Sequence, residues 1–155
     1  MPDTTPTTRG DAPLDPGLLA RLAIEALERT AFVLADPASE PESLPVADTF
    51  AQIDFSGPEK GGVDLFASRA FARNLAASIL GCDPGEVSDA QAEEALRELA
   101  NILGGSVIRE LGGENCQFSL GLPRVGAREQ DGATACVLDA EGERLEIRCH
   151  YSHAA

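Results

Sequence analysis

Tryptophan is absent from this chain, tyrosine occurs once, and six phenylalanines complete the aromatic set. Aliphatic side chains must therefore fill most of any core. Bases are scarce too: 12 Lys and Arg stand against 26 Asp and Glu, a formal charge of -14. That balance weighs strongly against a nucleic-acid partner, which is held by clustered Lys and Arg. It weighs against anionic membrane surfaces for the same reason. No apolar run approaches the roughly 20 residues of a membrane span. The polar start, MPDTTPTTRGDAP, holds no apolar core for a signal peptide. The chain reads as cytoplasmic. Cys82, Cys116, Cys136 and Cys149 form no C-x-x-C pair and read as reduced thiols rather than two disulfides. No Lys-Ser or Lys-Thr follows a Gly-rich run, so a P-loop is missing. Ser106 lies in no G-x-S-x-G elbow, and both histidines sit at the C-terminal end, so a hydrolase triad has no support. Cys149, His150 and His153 lack the number and spacing of a zinc ligand set, so no metal site is expected. A protein partner or a small ligand remains.

At 155 residues the chain is long enough for one domain with a substantial core. Residues 1–14, rich in Pro, Thr and Asp, read as a disordered leader, and 15–155 as the folded domain. Asp15 followed by Pro16 is a helix start, and apolar residues from Leu18 to Phe32 recur at helical spacing. Asp36 to Pro45, with three prolines and several acids, reads as a loop. Val46 to Phe55 alternates as a strand does, and the turn-rich Ser56 to Gly62 leads into a second alternation at Val63, Leu65 and Ala67. A hairpin is predicted. Ser68 caps a helix that Gly81 stops, and Ser88 with Gln91 forms a capping box for a longer one. That helix runs to Gly112 and Gly113. Strands follow at Phe118 to Leu122, Ala133 to Leu138 and Arg144 to Cys149, the last two flanking a turn at Asp139 to Gly142. The class is α+β with an antiparallel sheet, a helix followed by strands in each of two loosely duplicated halves.

The chemistry concentrates in one turn of the long helix, Glu98-Leu99-Ala100-Asn101, followed by Ile102, Leu103, Gly104 and Gly105. Residues three or four apart share a helix face, so Glu94, Glu98 and Asn101 project together while Leu99, Ile102 and Leu103 turn inward. Gly105 lies four residues beyond Asn101, where a larger side chain is expected to crowd the amide. Gly104 and Gly105 read equally well as packing glycines. An exposed acid–amide pair beside bare backbone suits docking on another protein, with Glu94 and Gly105 as docking positions. Asparagine forms helices poorly, which sets Asn101 apart from ordinary solvent-facing residues.

The string ELANILGG resembles the E-x-x-N-x-x-x-G signature of the CheX/CheC chemotaxis phosphatases. The turn at Phe55 to Pro58, the strand Gly62 to Leu65, the helix from Ser68 to Leu80 and the strand FSLGLP, Phe118 to Pro123, resemble that family in the same order. The resemblance spans roughly residues 15–150 and implies a CheC-like fold. It implies removal of the phosphoryl group from the aspartate of a response regulator, typically CheY. On that pattern Asn101 orients the attacking water and Glu98 pairs with a regulator lysine. The Mg²⁺ belongs to the regulator, and the protein needs no cofactor of its own. CheC carries two such pairs. Here the counterpart near Glu28 has Ala31 where the second Asn would stand, an arrangement closer to CheX, for which a sheet-mediated homodimer is implied. The alternative is a non-catalytic module of the same fold that binds a regulator or a flagellar-switch component.

Overall fold

A computed structural model describes residues 15–112, 117–127 and 136–153. The expected leader, Gly113, Cys116 and the start of the Ala133 strand lie outside the described residues. The order is α1 (Pro16–Ala31), β1 (Ala35–Pro37), β2 (Thr49–Ser56), β3 (Glu59–Ala67), α2 (Arg69–Leu80), α3 (Asp89–Gly112), β4 (Ser119–Leu120), β5 (Arg124–Ala127), β6 (Cys136–Ala140) and β7 (Glu143–His153).

Local chemistry sets the helix starts as the sequence suggests. The Leu18 N–H donates to Asp15 Oδ2 at 3.1 Å, and the Phe71 N–H donates to Ser68 Oγ at 3.2 Å. The Ser88 capping box closes in both directions: Gln91 N–H donates to Ser88 Oγ at 3.1 Å, and Ser88 N–H to Gln91 Oε1 at 2.9 Å. Gly81, at φ 73°, ends α2 in the left-handed conformation that glycine adopts without penalty.

All pairings in the sheet are antiparallel, with path β1-β6-β7-β3-β2-β4 and β5 also on β2. The duplication is visible in this order. The hairpins β2–β3 and β6–β7 meet at the central β3–β7 pair, and the strands that precede each hairpin cross to the other half's hairpin, β1 onto β6 and both β4 and β5 onto β2. Alternation gives the sheet one apolar face. Ala51, Ile53, Val63, Leu65, Leu145 and Ile147 point into a core completed by Leu19 and Leu27 of α1, Phe71 and Leu75 of α2, and Leu96, Leu99, Leu103 and Val107 of α3. The other face is polar only in part: it carries the charged Asp64, Glu146 and Arg148, but also Phe50 and the fully buried Phe66, over whose ring the Arg148 guanidinium lies at 5.2 Å.

Three expectations need correction. The Asp36 to Pro45 loop contains a strand edge, since Ala35–Pro37 pairs with β6, and a 3-10 turn at Pro41–Ser43. β2 starts at Thr49, because Val46 points into solvent and has no ladder to join. Only Ser119–Leu120 of the Phe118 to Leu122 stretch is strand, and a further strand that the alternation did not mark, β5, follows Pro123. Pro123 interrupts the pairing, since proline lacks an N–H for the ladder. Among the described residues Cys82, Cys136 and Cys149 form no disulfide, and burial pushes the Cys136 thiol up to about 11.

Candidate functional site

α3 lays one side on the sheet and offers the other to solvent. Ala92, Ala95, Leu96, Leu99, Ala100, Leu103, Gly104 and Val107 are buried, whereas Glu94, Glu98 and Asn101 are exposed on one face. The helix approaches the sheet closely at Gly104. A Cβ there would stand 2.9 Å from Ile53 Cγ2 and 3.0 Å from Leu120 Cδ2. Of the two glycines, Gly104 is therefore the packing residue. Gly105 faces outward, and a Cβ built on it meets nothing within 4 Å, Asn101 included. The expected crowding of the amide does not occur, because Cβ atoms four residues apart on a helix are separated by about 5–6 Å. What Gly105 leaves is a bare stretch of helix surface.

Beside this face runs the segment between β4 and β5, fixed to the edge of β2. The Phe118 ring meets Phe55 edge to face, with centroids 5.6 Å apart, and the Gly121 N–H donates to the Asp54 carbonyl at 2.8 Å. Arg124 anchors the far end through its hydrogen bond to Gln52 and its ion pair with Asp54 at 3.7 Å. So held, Gly121, Leu122 and Pro123 form one wall of a shallow depression whose other wall is Glu94, Arg97, Glu98 and Asn101. Leu122 is 88% exposed there. The sequence reading passed over it, although an aliphatic residue between Gly121 and Pro123, both strand breakers, has no sheet face to turn into.

The structure thus brings Glu94, Glu98 and Asn101 together and sets Gly105 one turn beyond. Glu94 is partly engaged, accepting from Arg97 Nη1 at 3.2 Å. Neither the Glu98 carboxylate nor the Asn101 amide makes a hydrogen bond or ion pair with any described residue. The pair has no second copy in the first half: Ala31 is buried in the core, and Glu28 stands alone at the surface. Among the described residues no group of three or more His, Cys, Asp or Glu could hold a metal ion. No described helix is long and apolar enough to cross a membrane. Cys149 is buried in the core, and His150 Nε2 lies 3.6 Å from Asp64 Oδ2 on the polar face of the sheet.

An α+β fold of this topology is that of the CheC-like proteins. It matches a CheC-like superfamily protein from Shewanella sp. PV-4 at a TM-score of 0.64 and 15% identity, over 90% of this chain and 98% of that one. It matches the chemotaxis protein CheX from Vibrio vulnificus at 0.70 and 14%, over 90% and 95%. The CheX-CheY-BeF3-Mg²⁺ complex from Borrelia burgdorferi matches at 0.63 and 12%, over 90% and 97%. The family model described as Chemotaxis phosphatase CheX matches residues 49–145, more than half of the chain. The chain belongs to the CheX family. No curated protein matches it by sequence.

Proposed function

We propose that this protein hydrolyses the aspartyl phosphate of a CheY-like response regulator, with α3 laid over the phosphorylated site. The observation that carries this reading is the exposed Glu98–Asn101 pair, unengaged within the described residues and flanked by the bare backbone at Gly105. The relative from Borrelia burgdorferi, solved with CheY, BeF3 and Mg²⁺, supports a regulator as partner.

In the reaction water attacks phosphorus in line with the leaving aspartyl oxygen. The P–O bond to the aspartate breaks, and the products are inorganic phosphate and the free carboxylate. Such transfers depend on positioning and charge stabilisation more than on covalent chemistry. The Asn101 amide both accepts and donates, so it can hold one water in line without adding negative charge beside an anionic phosphoryl group. Glu98 is the docking anchor, a carboxylate for the regulator lysine that contacts the phosphoryl group. Mg²⁺ is expected in the regulator, where it neutralises charge on the phosphoryl oxygens. The homodimer implied by the family resemblance would join two copies through their sheets, and sedimentation velocity tests whether two copies associate.

The deciding experiment follows phosphate loss from the source organism's own response regulators, phosphorylated by a small-molecule donor. Wild type should accelerate loss from one of them. Asn101→Ala should lower that rate by about a hundredfold, roughly 3 kcal/mol of barrier, with binding retained. Glu98→Gln should weaken binding by about tenfold or more, as loss of one partner of a charge pair does. Binding without acceleration by wild type would leave a non-catalytic regulator-binding module.

A further inference from the structure

The face that carries Glu98 continues into a second concavity, on the opposite side of α3 from Leu122. Here α3 and the C-terminal end of α2 diverge. Ala76 and Ala95 form a low floor, and Ile79, Leu80 and Ile102 form apolar sides. Ile79 and Leu80 are 45% and 52% exposed, although both belong to a helix whose other large apolar residues are buried. Exposed aliphatic residues lining a groove mark a contact surface more often than scattered single ones do. Glu94 and Glu98 stand on its rim, and among the described residues that line it none is Lys or Arg. Both glutamates also line the depression around Asn101, so the two concavities share one acidic ridge.

Resting on the phosphatase reading, we propose that this groove is a specificity-determining docking site for the same regulator. Its occupant is a surface element of the regulator that presents an aliphatic side chain flanked by Lys or Arg. Two observations favour that occupant. No Lys or Arg lines the groove, and of its two rim carboxylates Glu94 is paired with Arg97 while Glu98 is not, which leaves a net acidic rim that matches a basic partner and repels an acidic one. The ridge is also continuous with the Glu98–Asn101 face, so one rigid partner can reach both at once. In this arrangement Glu98 serves both concavities. The groove adds affinity and choice of regulator, and Asn101 alone acts on the reacting water.

The test uses the full-length protein with each receiver domain of the source organism, loaded with Mg²⁺ and beryllofluoride. Ile79→Ser with Leu80→Ser removes the apolar sides at exposed positions, and the urea unfolding midpoint confirms that the fold survives. The double variant should raise Kd for the cognate receiver by about tenfold, the effect of truncating anchor residues. It should leave kcat at saturating phosphorylated regulator within about twofold of wild type. Asn101→Ala should show the reverse, with kcat lost and Kd kept. Wild-type Kd for the double variant overturns the groove and leaves the phosphatase reading standing. Loss of self-association with regulator affinity unchanged also overturns it, in favour of a second copy of the chain. Failure of every receiver to bind wild type refutes the phosphatase reading and the groove with it, and wild-type turnover by Asn101→Ala overturns the division of roles proposed here between Asn101 and the groove.

Discussion

A methyl group on Gly104 would press into Ile53 at 2.9 Å, whereas the same methyl on the next residue, Gly105, would meet nothing within 4 Å. Ile53 is β-branched and stiff, so little relief is available on that side. Gly104→Val should therefore destabilise the protein by about 2 kcal/mol, as overpacking of a close contact does. Gly105→Ala should have the opposite sign, a gain of about 0.5–1 kcal/mol from helix propensity alone. It should also weaken binding of the phosphorylated regulator, because the methyl stands on the surface proposed to dock. Urea unfolding and a binding titration on the two variants check both halves. A stabilised Gly105→Ala with unchanged binding would place the docking surface elsewhere. The two glycines were readable as special from sequence, but their division of labour was not. It depends on which side of α3 the edge of the sheet lies, and Leu120 makes that contact across a stretch of sequence no helical periodicity reports.

At the scale of elements, what was legible is what local chemistry decides. Asp15, Ser68 and Ser88 accept the N–H groups their helices leave unpaired, and each helix starts where its cap stands. Two of the elements misread, β1 and β5, are short edge strands, and the third misreading is the start of β2. A short edge strand is held by its neighbour rather than by its own pattern, so its alternation is weak or absent. The segment after β1 shows how such a piece is fixed. Arg144 of β7 donates to the carbonyls of Pro41, Leu44 and Pro45, and its Nη1 pairs with Glu146 at 2.8 Å. Only 14% of the Arg144 side chain and 8% of that of Glu146 reach solvent. Arg144→Met removes those donors and strands a buried carboxylate, which costs about 3 kcal/mol. Unfolding measurements should show that loss. Proteolysis should cut first between residues 38 and 48, because the segment's tether is gone. A variant as stable and as resistant as wild type would mean that the prolines alone hold the segment.

Over the whole molecule, the two halves meet at the β3–β7 pair, and a charged cluster lies across it on the polar face. Asp64 Oδ2 accepts from Arg148 Nε at 3.0 Å, and His150 Nε2 stands 3.6 Å away. This junction was invisible in the sequence, because Asp64 and His150 are far apart in it and meet only through the antiparallel register that opposes Asp64 to Arg148. Burial pushes the Asp64 carboxyl up, but His150 and Arg148 outweigh it and hold the group below its ordinary 3.8. The Asp64 carboxylate in turn raises His150 above its ordinary 6.5, against partial burial and the Arg148 charge. A histidine whose folded value is raised binds its proton more tightly when folded. Its contribution is complete below 6.5 and disappears as pH rises through the folded value. An aspartate with a lowered folded value contributes above 3.8 and loses that contribution as pH falls through the folded value. The cluster should therefore stabilise the junction of the halves most between these limits. Many other carboxylates titrate at the acid end, so the test is a difference: wild type minus His150→Gln, by urea unfolding at a series of pH values. That difference should be largest near pH 5 to 6 and should shrink steadily above about pH 7. Half of the imidazole side chain is exposed, so added salt should shrink it further. A difference that stays constant from pH 5 to 9 would mean that His150 contributes through packing alone and that Arg148 holds Asp64 without its help.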